Sequence, residues 1–441
     1  MVIKNQMLGG IYLLSNDAEA RLKEFNDTAF PKEMITITDR VRIAVGWGHS
    51  NCIIVEGDTS LILVDTLDSD ARAARLKDEL SRLTDKPVKT IIFTHGHPDH
   101  RGGCGAFRDT VEEIIAFAPK KAVLKGTERI NPILNKRTFR QFGYGLTDEE
   151  LITQGLGIRE GHAIGDGAYS FLPPTTLYTE DSVTRTIDGV AFEMVSAVGE
   201  TDDQIFLWLP EERIMCCGDN YYGCWPNLYA IRGGQYRDIA AWVDSLEHIM
   251  SYPAEALLPG HMLPVLGHDW ITEVLGNFKE AIRYILDETL ACISQGLSQD
   301  ETAARVVLPE TCRSLPYLQE YYGTVQWSVR AIYQGYVGWF DGNPSNLNRT
   351  APVKYSRNLI KLAGGEQAVS TAVKTALEES EFQWASELCD LLLGAGDTVS
   401  EEGKTNARHW KAESLRQLSR LETSANGRHY YLSCAKELEK E

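Results

Sequence analysis

Residues 90–103 read TIIFTHGHPDHRGG and place three of the chain's ten histidines within six positions: His95, His97 and His100, with Asp99 among them. Protonated together, these side chains would repel one another; buried and neutral, they would lack partners. A divalent cation resolves both problems, because imidazole nitrogen and carboxylate oxygen are standard zinc ligands. The apolar run Val88–Phe93 predicts a buried strand, and Gly96 and Pro98 then force an irregular turn. Such a turn can aim His95 and His97 at one point and Asp99 and His100 at a neighbouring one, which suits two metal ions better than one. Further ligands must come from later strand ends. Glu200 follows the apolar run AFEMVSAVG, Asp219 follows RIMCCG nineteen positions later, and His261 follows EALLPG.

These side chains need a scaffold that brings several strand ends to one edge. VRIAVGWG (41–48), CIIVEGD (52–58) and LILVD (61–65) are short apolar runs separated by turn residues, and each predicts a strand. ARAARLKDELSRL (71–83) has helical spacing; VKTIIF (88–93) and EEIIAFAP (112–119) predict further strands, and KKAVLKGTERI (120–130) a helix. Residues 128–170 are Gly-rich and irregular, and a loop that long is expected to wrap the site. Strands resume at 175–180, 183–189, 191–199, 204–210 and 213–219, and EALLPGH (255–261) predicts the last strand of a first domain. The alternation describes an α/β unit whose site lies beyond its strand ends. After about residue 268 the pattern becomes helical: 269–296 is one long amphipathic stretch, and 368–396 and 400–422 predict antiparallel helical hairpins.

A chain of 441 residues with 43% hydrophobic content can bury a large core and suggests two or three domains. The net charge of −18 argues against nucleic acid or anionic membranes as partners, since phosphate binding needs a basic surface. No apolar run reaches the ~20 residues that span a bilayer. Nine cysteines without a spaced framework suggest reduced thiols and a reducing compartment. Cys104, close to the histidine cluster, reads as a small buried residue in a Gly-rich turn. The first twenty residues lack the charged and apolar regions of a signal peptide, so the expected location is the cytoplasm.

THGHPDH matches the H-x-H-x-D-H signature and resembles the metallo-β-lactamase superfamily. That group includes β-lactamases, thioesterases, lactonases, phosphodiesterases and sulfatases. The stretch 196–238 extends the resemblance to the alkylsulfatase branch, in which a glutamate stands as third ligand where other members use histidine. NLYAIRG (227–233) resembles the branch's sulfate-binding segment, and residues 321–347, ending in GWFDGNPSNL, resemble its helical dimerisation segment. The resemblance implies an αββα sandwich over 1–267, followed by an all-α dimerisation domain over 268–441. It implies two zinc ions, one held by His95, His97 and Glu200 and one by Asp99, His100 and His261, with Asp219 bridging. A metal-bridged hydroxide would cleave an alkyl sulfate ester, with Asn227 and Arg232 on the sulfate and Tyr144 as a further substrate contact. It also implies a homodimer and a role for Asp65 in supporting the metal turn. His49 and His268 read as loop residues.

The sequence departs from the branch in three places. Asp219 stands where the branch usually has Glu. Trp327 stands where it often has His, which leaves the proton for the leaving group to another residue. The branch's C-terminal sterol-carrier-like domain is not expected here, which leaves room for shorter or more polar sulfates. Two other readings stay open: a hydrolase of the same fold acting on a thioester, lactone or phosphate ester, and a catalytically quiet dimeric scaffold.

Overall fold

Strands buried on both faces need a covering layer on each side. In the computed structural model, which describes residues 17–121 and 124–440, several strands are of this kind. The first sheet has the order β1 (Glu33–Thr36), β2 (Val41–Val45), β3 (Cys52–Glu56), β4 (Leu61–Val64), β5 (Val88–Ile92), β6 (Glu113–Phe117) and β7 (Thr176–Tyr178). The second contains β8 (Ser182–Ile187), β9 (Val190–Ser196), β10 (Ile205–Leu209), β11 (Ile214–Gly218), β12 (Ala256–Pro259) and β13 (Val265–Leu266), adjacent in sequence order. Alternate residues of facing strands meet between the sheets: Ile43, Ile53, Ile62 and Ile92 from one, Phe192, Met194, Leu207 and Leu258 from the other. The remaining residues point outward. Ile54, Leu63 and Ile91 pack under the helix Asp70–Leu83, and Phe206, Trp208 and Met215 under the helices Ile239–Met250 and His268–Ser294. The result is the expected αββα layering.

The order of strands decides where the chemistry sits. β4 and β5 run parallel, as do β11 and β12. Their C-terminal ends open on one edge, where the residues after β4, β5, β9, β11 and β12 include Asp65, His95, Glu200, Asp219 and His261.

Three expectations need correction. Residues 120–130 do not form a helix: the described part has only a tight 3₁₀ turn at Thr127–Ile130, because Gly126 takes φ +83° and breaks the run. The stretch 128–170 is not irregular throughout, since Asn131–Gln141 is a regular helix with a proline in its first turn. EALLPGH is not the last strand, because the two-residue β13 follows and pairs antiparallel with β12.

Beyond residue 267 the described chain is helical. His268–Ser294 and Val325–Val337 share one apolar cluster with the outer face of the second sheet, so the core is continuous across this point. The helices Pro352–Leu362, Glu366–Glu378, Phe382–Gly394 and Glu401–Leu421 build a separate cluster around Val373, Cys389 and Leu392. All nine cysteines are free thiols. Among the described residues no helix is long and apolar enough to cross a membrane. Most of the first twenty residues, read above for a signal peptide, lie outside the described range.

Candidate metal centre

The structure gathers the seven candidate ligands at one sheet edge. His95 Nε2 lies 3.0 Å from His97 Nδ1, and His100 Nε2 lies 3.2 Å from His261 Nε2. Asp219 sits among them, with Oδ1 3.4 Å from His100 Nε2 and Oδ2 3.3 Å from His261 Nε2 and 3.7 Å from His95 Nε2. Glu200 Oε2 is 3.3 Å from His97 Nδ1, and Asp99 Oδ2 is 3.4 Å from His261 Nε2. Ligand atoms of His97, Glu200 and Asp219 form one compact group, those of His95, His100 and Asp219 a second, and those of His49, Asp99 and His261 a third.

The outer nitrogens of three rings show which way the lone pairs point. His100 Nδ1 faces Asp65 Oδ2 at 2.7 Å and His261 Nδ1 faces the His49 carbonyl at 3.0 Å, so both nitrogens donate. His95 Nδ1 lies 3.0 Å from Thr94 Oγ1, whose own proton goes to Asp65 Oδ2 at 2.7 Å, so His95 donates there as well. In the neutral, metal-binding form these rings keep the proton on Nδ1 and turn the Nε2 lone pair inward. Without a cation, burial is outweighed by the charge of Asp219, which pulls His100 and His261 above the usual histidine range; a metal would replace that positive charge. Lone pairs facing each other at about 3 Å repel unless a cation lies between them. Among the described residues, buried Asp219 Oδ1 meets no donor in hydrogen-bond geometry. These residues therefore fit a divalent metal, and their number and spread fit more than one. Burial, with the charges of neighbouring imidazoles, also pushes His95 and His97 below the usual histidine range and so favours the neutral, ligating form. Asp65, at φ +60°, holds the turn through the Thr94 N–H at 2.9 Å as well as His100, the supporting part expected of it.

A cavity of about 690 Å³ opens beside the cluster. Phe139, Phe142, Tyr144, Leu156 and Tyr322 give it an apolar wall, and Arg232 and Arg237 give it positive charge. Arg232 is held from behind: its N–H donates to Gln141 Oε1 at 2.8 Å, and Arg137 donates to the Ile231 carbonyl at 2.6 Å. The segment 227–233 is thus strapped to the helix Asn131–Gln141. Tyr144 donates to Glu160 Oε2 at 2.5 Å and lines the same wall. Asn227 is buried beneath the cavity and is not among its lining residues; its main chain carries its hydrogen bonds, with its N–H donating to Tyr222 Oη at 2.8 Å. Trp327 does not line the cavity either. Cys104 Sγ accepts from the Leu172 N–H and belongs to none of these ligand groups.

Several residues of the site were missed. His49 is in a loop, as expected, yet it lines the cavity beside Asp99 and His261. Glu160, Tyr169 and Tyr322 line it too, and Tyr222 and Arg237 touch Glu200. The one available signal was the second arginine in IRGGQYRD, five positions after Arg232.

A family model for the metallo-beta-lactamase superfamily matches residues 45–261, and one for alkyl sulfatase dimerisation matches residues 298–441. A linear primary-alkylsulfatase of a Pseudomonas species is 36% identical over 88% of this chain and 73% of its own length. The chain belongs to the alkylsulfatase family. A second member, the alkyl/aryl-sulfatase of Saccharomyces cerevisiae, is 30% identical over 92% of this chain and 64% of its own. Among solved structures, a double mutant of the sec-alkyl sulfatase PisA1 superposes with a TM-score of 0.82 at 25% identity, covering 98% of this alkylsulfatase-family chain and 69% of PisA1. The fold neighbour therefore spans the sandwich and the helical region together.

Proposed function

We propose that this protein is a zinc-dependent alkylsulfatase that hydrolyses alkyl sulfate esters to alcohol and sulfate. One zinc ion would be held by His95, His97 and Glu200, a second by Asp99, His100 and His261, with Asp219 reaching both. Metal ions held there would supply Lewis acidity and lower the pKa of a water toward the neutral range. The protein's own residues bind and orient the ester. Arg232 takes sulfate oxygens, since its planar fork donates two parallel hydrogen bonds to an oxyanion. Asn227, buried beneath the cavity, anchors the segment that carries Arg232 through its main chain and does not itself reach the sulfate. Phe139, Phe142, Tyr144 and Leu156 exclude water and receive the alkyl part. The observation that supports this reading most is a guanidinium and an apolar wall in one cavity beside the converging lone pairs.

The protein would act as a homodimer through its helical region, which the alkyl sulfatase dimerisation model matches. Nine unpaired thiols suit a reducing compartment such as the cytoplasm. The test is a substrate panel on zinc-loaded protein: linear alkyl sulfates of several lengths beside a thioester, a lactone and a phosphodiester. Turnover confined to sulfates is the expected result. Turnover of one of the others and of no sulfate would transfer the site to that substrate class.

A further inference from the structure

The two oxygens of Glu200 are treated differently. Oε1 accepts from the Tyr222 hydroxyl at 2.8 Å and from Arg237 Nη1 at 2.9 Å, while Oε2 faces His97 Nδ1 at 3.3 Å. The same Tyr222 oxygen accepts from the Asn227 N–H at 2.8 Å, and the same Arg237 nitrogen donates to the Asn227 carbonyl. Glu200, Tyr222, Asn227 and Arg237 therefore close a ring of hydrogen bonds. Its side chains are almost wholly enclosed: Tyr222 is 0% exposed and the Arg237 side chain 9%.

A carboxylate oxygen accepts about two hydrogen bonds, so one neutral and one charged donor saturate Oε1 and leave Oε2 for a cation. A buried charge pair is costly unless further hydrogen bonds complete it, and here the Asn227 carbonyl takes the second contact of Arg237. Asn227 is also the first residue of the segment that carries Arg232. The ring thus links a candidate ligand to the candidate sulfate clamp through three side chains and the Asn227 main chain.

We propose that Arg237 is a positioning residue. It fixes Glu200 as a one-oxygen metal ligand and locks that ligand to the segment 227–233. This rests on the assignment of Glu200 as a ligand made above. Partners of this kind around a ligand are worth ten- to a hundredfold in metal affinity.

The test is competition of metal-free protein with a chromophoric chelator for zinc, alongside thermal melting of the metal-free form. Arg237→Ala is expected to weaken one of the two zinc sites ten- to a hundredfold and leave the other unchanged. Arg237→Lys should recover part of the loss, since it keeps the charge on a shorter side chain without the rigid guanidinium fork. Tyr222→Phe removes only a hydroxyl and should weaken the same site about tenfold; it decides the matter if Arg237→Ala does not fold. Wild-type zinc affinity at both sites in Arg237→Lys and Tyr222→Phe overturns the proposal. So does equal weakening of both sites in step with a lowered melting temperature. Failure of the underlying assignment looks different: Glu200→Ala would then keep both zinc sites, or the wild type would not bind two.

Discussion

Arg232 lines the cavity, and its side-chain hydrogen bond to the Gly233 carbonyl is long, 3.5 Å, so its guanidinium can turn to an anion there. Losing one side of a charge-assisted contact shielded from water costs on the order of 2–5 kcal/mol, which is at least tenfold in rate or affinity. Arg232→Ala should therefore keep both zinc ions yet lose at least tenfold in kcat/KM for alkyl sulfates, with Arg232→Lys recovering part because it keeps the charge without the fork. Wild-type rates in Arg232→Ala, with zinc content measured on the same sample, would remove Arg232 from the sulfate. The candidate ligands were legible in the sequence because each is a metal-binding type placed just after an apolar run, and three of them crowd one short turn. Tyr222, Glu160 and Arg237 were not. A single tyrosine, glutamate or arginine between turn residues reads as surface, and only the packing of distant segments buries them together.

The last helix of the described chain, Ala425–Leu438, holds the cavity wall in place. His429 is fully buried, with Nδ1 3.0 Å from the Gln141 carbonyl and Nε2 3.2 Å from the Leu151 carbonyl, at the two ends of the loop that carries Tyr144. Gly143 within that loop lies against the His429 ring at φ +64°, a conformation and a space that a Cβ would not share. Arg140 and Lys436 add ion pairs to Glu437 and Glu150. Burial pushes His429 down to about 4, although its carbonyl neighbours favour the charged ring. Its unfolded value is near 6.5, so between these values the unfolded chain binds more proton, and stability is lost as pH falls. The effect, about 3 kcal/mol at full extent by the usual linkage, is absent above pH ~6.5 and complete near pH 4. Urea unfolding of wild type and His429→Gln at pH 7 and pH 4.5 should show the wild type losing stability relative to the variant. An unchanged difference would mean that His429 is already charged in the fold. None of this clamp was visible in the sequence, because it joins residues almost 300 positions apart. The helix Asn131–Gln141 escaped notice for another reason: its run NKRTFRQ is mostly polar, and only the proline in its first turn marked it.

Exposed apolar residues occur along much of the described chain, and one group of them lies in the helical region at 336–347. Tyr336, Val337, Trp339 and Leu347 are half exposed or more nearly so, and Trp339 reaches 72%. Patches of this kind usually mark an interface, and this one falls inside the matched dimerisation segment. Light scattering should give about 98 kDa, twice the 49.2 kDa of the chain, and Trp339→Asp should shift the mass toward one chain. A wild-type mass of one chain at all concentrations would contradict a dimer. The layered sandwich and the helical region were readable from periodicity and motif. That the helix His268–Ser294 completes the core of the second sheet was not, since an amphipathic pattern shows that a helix has a buried face and not what covers it. The proposed chemistry requires two metal ions per chain. The most direct check is the rate of alkyl sulfate hydrolysis as zinc is titrated into metal-free protein. The prediction is no turnover without zinc and a rise that levels at two equivalents per chain; a plateau at one equivalent, or no turnover at any loading, would contradict it.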